Sequence, residues 1–242
     1  MIRSSLIDVE NLLLDLGLKT GDKILIHADL RVFGLLEGNG DGLISVIEKI
    51  VGKKGILCTP SFTFSFPEVF DIHKSISKIG SLTNLFRNFE NVLRVPDGMT
   101  SYYIIGDQAS GMIEKWDNSS YGIDSIIGQL HQENGKVLQF GTDILSPIHY
   151  LEECVGVPYR DIKRFEGLII NENQRYNSHT DFYARNKVVK KIIPDPIRAE
   201  FYSNVYQKIL YNNREIRLFS IRDFMNFAVP RLDRNKLILI ED

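Results

Sequence analysis

The chain has 242 residues, of which 43% are apolar and 25% charged. A chain of that length buries roughly 70–75% of its unfolded surface, so a core forms without disulfides or a structural metal, and the composition excludes disordered and collagen-like classes. With 29 basic and 31 acidic residues the formal net charge is −2, which gives no electrostatic reason to expect nucleic acid or an anionic membrane as partner.

Ser4 and Ser5 offer caps for a first helix carrying Leu6, Val9, Leu12, Leu13 and Leu16 at helical spacing, and Gly17 stops it. After a turn at residues 19–22, residues 23–27 (KILIH) read as a buried strand. Asp41 is expected to cap a second helix through Leu43, Val46, Ile47 and Ile50, ended by Gly52. Residues 55–59 form the next apolar strand, stopped at Pro60. Strand, helix and strand joined by short loops are the signature of a βαβ unit. Helices are expected at residues 81–89, 107–116 and 124–133, with short strands at 92–95 and 102–105. Residues 136–140 (KVLQF) form another buried strand, and Ser146-Pro147 opens a helix through Cys154, with proline well placed in its first turn. The last third is expected to hold a strand at 167–170, a helix at 198–211, then a strand, a helix and a final strand at 237–240. No internal repeat or linker interrupts the chain. The reading is one α/β domain, residues 1–242, with a largely parallel mixed sheet and the C-terminal third (from about residue 166) packed onto it.

Cys58 and Cys154 form neither a CxxC pair nor a metal-ligand spacing and read as two reduced thiols. Acids at Asp8, Glu10 and Asp15 break up the N-terminal stretch, and no run of 18 apolar residues occurs. A cytoplasmic protein without membrane partner is expected.

In open α/β sheets, ligands bind beyond the carboxyl ends of the strands. There the sequence places His27 and Asp29, the segment 59–65, and Gly141-Thr142-Asp143. His149, Glu152 and Glu153 lie at i, i+3 and i+4 on the helix that follows. That spacing puts the imidazole beside a carboxylate able to hold one tautomer and stabilise the protonated form. From spacing alone it is either a general base with its orienting acid or a surface pair. No HExxH or third ligand supports a metal. Cys154, at i+5, faces another side of the helix from His149. His27 reads as a core imidazole. Gly38-Asn39-Gly40-Asp41-Gly42 lacks the Lys-Ser/Thr ending of a phosphate loop and reads as a turn and cap. Phe62, Phe64 and Phe66 alternate with hydroxyl residues, either as a half-buried strand or loop or as a ligand wall.

The motifs, in their order, resemble those of the aminoglycoside 3-N-acetyltransferase family. They are GDKILIHADLRVFG (residues 21–34), GILCTPSFTFSF (55–66), Phe70-Asp71 followed by SKIGSL (77–82) and Phe86-Arg87, Arg94 with Ser101, YGIDS (121–125), KVLQFG (136–141) and SPIHYLE (146–152). The resemblance spans about residues 8–165. It implies a three-layer α/β/α fold, acetyl-CoA as acyl donor, and direct transfer of an acetyl group to the amino group of an aminoglycoside or other amino sugar. His149 falls on the family's catalytic histidine and Glu152 on the glutamate one turn later, with Asp143 a less favoured orienting acid. Leu30, Arg31, Val32, Gly34, Ser61, Thr63, Arg94 and Ser101 fall where the family holds CoA. Acceptor contacts are expected from Asp29, Phe64, Asp97 and Glu153.

Three departures from the family pattern bear on the acceptor. Ala28-Asp29 replaces a pair of serines, Asp97-Gly98 replaces His-Pro, and only Pro67-Glu68-Val69 separates Phe66 from Phe70, where antibiotic-modifying members carry a long insertion. The acceptor therefore stays open between an aminoglycoside, as in antibiotic resistance, and a nucleotide-linked amino sugar of bacterial surface-polysaccharide (O-antigen) biosynthesis. A non-catalytic CoA- or sugar-binding homologue is the third reading. Oligomeric state is not legible in the sequence, and a homodimer is only the default expectation.

Overall fold

A computed structural model describes residues 3–186, 191–192 and 195–241. Its centre is a seven-stranded mixed sheet in the order Gln207–Tyr211, Arg214–Ser220, Lys136–Phe140, Lys23–Ala28, Ile56–Pro60, Tyr102–Ile105, Leu93–Arg94. Lys23–Ala28 pairs in parallel with both neighbours, and the outer strands on each side run antiparallel. The three parallel strands are almost wholly buried because helices cover both faces. On one face, Val9, Leu12 and Leu13 of helix Leu6–Asp15 and Leu43, Ile44 and Ile47 of helix Asn39–Val51 pack on Ile24, Ile26 and Leu138. On the other, helices Ile126–Gln132, Pro147–Val155 and Ile221–Arg234 bring Ile127, Leu130, Leu151, Phe224 and Ala228 onto Leu25, Cys58 and Val137. The result is the three-layer α/β/α architecture. Among the described residues no helix is long and apolar enough to cross a membrane.

Ser5 caps the first helix, its hydroxyl accepting the Asp8 N–H at 3.1 Å. The second helix begins earlier than expected, at Asn39 with Gly38 as N-cap, so Asp41 lies in the first turn and caps nothing. Its carboxylate still complements the positive end of the helix dipole.

The last third departs most from expectation. The short strand expected at 167–170 is the turn-proximal part of a much longer hairpin in which Arg160–Asn171 pairs with Gln174–Arg185. Glu172, at φ 53°, opens its two-residue turn. The helix expected at 198–211 ends at Val205, and Gln207–Tyr211 becomes an edge strand instead. Asn212 and Asn213, at φ 49° and 61°, form a tight turn into the next strand, and asparagine tolerates that left-handed backbone. Of the expected strand at 237–240, only Ile240 pairs, as part of Ile240–Glu241 against Lys191–Ile192.

The hairpin is seated by three devices. A small core of Phe66, Phe70, Ile72, Met99 and Ile169 lies beneath it. The Phe66 ring is wedged between Gly98 and Gly167, where a Cβ would fall 2.4 Å and 2.2 Å from ring carbons. The buried Asp97 carboxylate accepts Met99 N–H, Thr100 N–H, Thr100 Oγ1–H and, from the hairpin, Thr180 Oγ1–H at 2.8 Å.

Candidate active site

The helix Pro147–Val155 starts from the loop at the carboxyl end of Lys136–Phe140, with Pro147 in its first turn. His149 therefore sits beside the ends of the parallel strands, in a cleft of about 460 Å³ shared with Phe62, Asp143, Ser146, Arg185 and Arg198. One turn on, Glu152 points into the protein and is fully buried. The chain then folds back after Gly156, so that Tyr159 and Arg160 reach the same carboxylate.

Glu152 Oε2 lies 2.9 Å from His149 Nδ1, and Oε1 accepts the Tyr159 hydroxyl at 3.0 Å. Arg160 is 6% exposed. It donates through Nη1 to the Tyr183 carbonyl at 2.8 Å, and its Nη2 stands 3.0 Å from His149 Nδ1. Its Nε lies 2.8 Å from Glu152 Oε2 as a charge contact rather than a directed hydrogen bond. The buried carboxylate is thus paired and hydrogen-bonded, the condition under which a buried charge is tolerated.

His149 Nδ1 has an acceptor and a donor within reach at once, and the two act on different tautomers. A protonated Nδ1 donates to Glu152; a bare Nδ1 accepts from Arg160. Only the first leaves Nε2 free as a base, and the imidazolium formed on proton uptake is held by Glu152 alone. Burial pushes the imidazole pKa below its ordinary 6.5; Arg160 and Arg185 push the same way, and Glu152 opposes them. The resting side chain is therefore neutral at pH 7. Beside it, Ser146 Oγ lies 2.9 Å from His27 Nε2, and burial lowers the His27 pKa to about 4. An aromatic wall runs from His149 to Tyr121 (ring centroids 5.0 Å apart), Phe182 (5.7 Å), Phe64 (6.4 Å) and Phe62 (5.9 Å).

Glu152 is thus the acid on the imidazole, whereas Asp143 lines the cleft and pairs with Arg217 at 2.5 Å. Most of the positions expected to hold CoA spend their polar groups inside the protein. Arg94 donates to Ser61 Oγ, Ser61 O, Ile72 O and Ser75 O, and lies 4.8 Å from the ring centroids of both Phe70 and Tyr103. Ser61 N–H binds Ser101 O, Thr63 N–H binds Met99 O, and the Thr63 and Ser101 hydroxyls donate to Gly98 O and Val95 O. In the 3₁₀ turn Leu30–Phe33, the N–H groups of Arg31 and Val32 go to Asp29, and Gly34 N–H goes to Arg31 O. Val32 is buried, and Leu30 is half-buried against the first core.

The expected acceptor contacts are scattered. Asp29 is held by Arg31 and Arg214, which keep its carboxyl well below the usual carboxylate range. Asp97 is 1% exposed and fully engaged in seating the hairpin. Phe64 stands exposed in the aromatic wall, at φ 48°. Glu153 does not line the cleft; one of its oxygens is buried without a partner, and burial with Asp117 and Asp181 nearby raises its pKa to about 7. Cys154 is hydrogen-bonded with Tyr150, and burial raises its thiol pKa. Among the described residues no group of three His, Cys, Asp or Glu side chains is placed to hold a metal ion.

Tyr159, Arg160, Arg185 and Arg198 were not identifiable as site residues from spacing. The one available signal was the two-residue Glu172-Asn173 turn between two strand-like runs, whose register sets Arg160 opposite Arg185.

A family model described as aminoglycoside 3-N-acetyltransferase matches residues 25–233. Aminoglycoside N(3)-acetyltransferase IV of Salmonella sp is 28% identical over 244 residues, covering 94% of this chain and 87% of that protein. Among solved structures, AAC-IIIb as a binary complex with CoASH superposes with a TM-score of 0.82 at 21% identity, over 96% of this chain and 97% of that one. AAC-VIa bound to sisomicin gives a TM-score of 0.80 at 20% identity, over 96% and 98%.

Proposed function

The chain belongs to the aminoglycoside 3-N-acetyltransferase family, and from that premise we propose that it transfers the acetyl group of acetyl-CoA directly to an amino group of an aminoglycoside or related amino sugar, with His149 as general base. The observation that carries this is His149 on the wall of a cleft with Glu152 and Arg160 buried behind it. A histidine kept neutral and tied at Nδ1 to a buried carboxylate is equipped to take up a proton at Nε2. The acceptor nitrogen attacks the thioester carbonyl and loses a proton to Nε2. The C–S bond then breaks, and the departing thiolate takes the proton back from the imidazolium. Ser146 Oγ, lining the same cleft as His149 and backed by His27, would donate to the carbonyl oxygen as it gains charge. An amine needs no covalent acyl-enzyme to react with a thioester, so the Cys154 thiol has no part. Residues 1–242 act as one unit in this reading, because the C-terminal third supplies two strands of the central sheet.

Thiol release from acetyl-CoA over a panel of amino-sugar acceptors tests the reading. His149→Ala is expected to lower turnover by roughly 10²–10⁴-fold. Near-wild-type turnover by the variant would refute the assignment. Acetyl-CoA binding without release for any acceptor would leave a binding protein instead.

A further inference from the structure

Two arginines face the cleft beside His149, Arg185 from the end of the hairpin and Arg198 from the helix Asp195–Val205. Arg185 and Arg198 both line it, and neither side chain makes an ion-pair contact or a hydrogen bond with another described residue. Arg198 Nε is buried with no acceptor among the described residues. Arg185 stands directly opposite Arg160 in the hairpin register. Like charges facing each other across a strand pair are destabilising. Glu152 contacts Arg160 rather than Arg185; burial and Arg160 push the Arg185 pKa down, and the more distant Glu152 charge opposes them. The acid lining the same cleft, Asp143, is occupied by Arg217. Two guanidinium forks in an open cleft, Arg185 exposed and Arg198 half-buried, match the oxygens of a phosphate. A polycationic acceptor would meet repulsion there.

We propose that Arg185 and Arg198 form a subsite for the phosphate or diphosphate of an anionic amino-sugar acceptor, which makes a nucleotide-linked amino sugar the substrate class; this rests on the reading of His149 as the base acting in that cleft. Phosphates occur on both acyl donor and such an acceptor, and reach distinguishes them. A 460 Å³ cleft is about 8 Å across if roughly equidimensional. In CoA about thirteen bonds separate the sulfur from the nearest phosphorus, roughly 16 Å when extended, whereas a ring amine lies about five bonds, roughly 6 Å, from the phosphorus at the anomeric oxygen. Only the second spacing fits a nitrogen at His149 with its phosphate at the arginines.

Calorimetry with uridine diphosphate and, separately, with CoA tests this on the wild type, Arg185→Gln, Arg198→Gln and the double variant. Wild-type protein is expected to bind uridine diphosphate with an affinity that falls as salt rises. Each single change should weaken it by roughly tenfold, with CoA affinity unchanged. The proposal is overturned if uridine diphosphate does not bind, or binds the double variant as tightly as wild type. Weakening of CoA binding alone would assign the arginines to the donor and also overturn it. His149→Ala should keep the diphosphate affinity, so a wrong base assignment and a wrong subsite give different results. Circular dichroism of each variant checks the fold, and the salt dependence of the unmutated protein stands without any variant.

Discussion

Replacing Glu152 by Gln keeps the shape of the side chain and removes its charge. In the structure that charge faces His149 Nδ1 at 2.9 Å and Arg160 at 2.8 Å, with Tyr159 on the other oxygen. During proton uptake the imidazolium would lose one charge-assisted hydrogen bond, worth about 1.5–3 kcal/mol, so kcat should fall by roughly ten- to 150-fold with little change in KM. The pH profile carries a second signature. Glu152 is the group that raises the His149 pKa against burial, Arg160 and Arg185. Without it the acid limb of the kcat profile, already below pH 6.5, should move to lower pH. Arg160→Met should move the same limb upward, because it removes a cation that disfavours the imidazolium. The assay is thiol release from pH 4.5 to 8, with rates normalised to the folded fraction, since an unpaired buried partner costs about 3–5 kcal/mol of stability. Limbs that move in the same direction in both variants, or an unchanged kcat in Glu152→Gln, would refute the reasoning.

Two further outcomes concern stability. His27 titrates near pH 4 when folded and near 6.5 when unfolded. It therefore contributes stability that is complete above pH 6.5, declines as pH falls, and is lost below about pH 4. The difference amounts to about 3 kcal/mol. Urea titrations at pH 7 and pH 4 should show a change smaller by that amount in His27→Gln, and an identical change in both proteins would contradict it. Arg94→Met should destabilise by about 3–5 kcal/mol, because it leaves buried carbonyls of Ser61 and Ile72 without a donor. Arg94→Lys should not restore that loss, since an ammonium cannot reproduce the guanidinium fork; a Met variant within 1 kcal/mol of wild type would argue against the bracing role.

The amino-acid sequence alone determined the α/β framework of the first two-thirds. KILIH, GILCT and KVLQF are apolar runs bounded by Gly and Pro, and such runs leave few alternatives to buried parallel strands with helices on both faces. It also set His149 and Glu152 one turn apart, because i, i+3 spacing on a helix is a local property. Tertiary structure alone decided which polar groups are available to a substrate. Arg94, Ser61, Ser101 and Asp97 look like ligand-binding residues in the sequence, yet each is engaged inside the protein: the Ser101 hydroxyl closes a local turn on Val95, and the other three join loops far apart in the chain. Their partners lie up to 83 residues away, beyond any local pattern. The same holds for Arg160, Arg185 and Arg198. An arginine in a strand or helix reads as a solvated charge until the fold-back after Gly156, the hairpin register and the helix Asp195–Val205 place one behind the base and two along its cleft. Whether a charge is spent or free depends on distant neighbours, and only the folded chain supplies them.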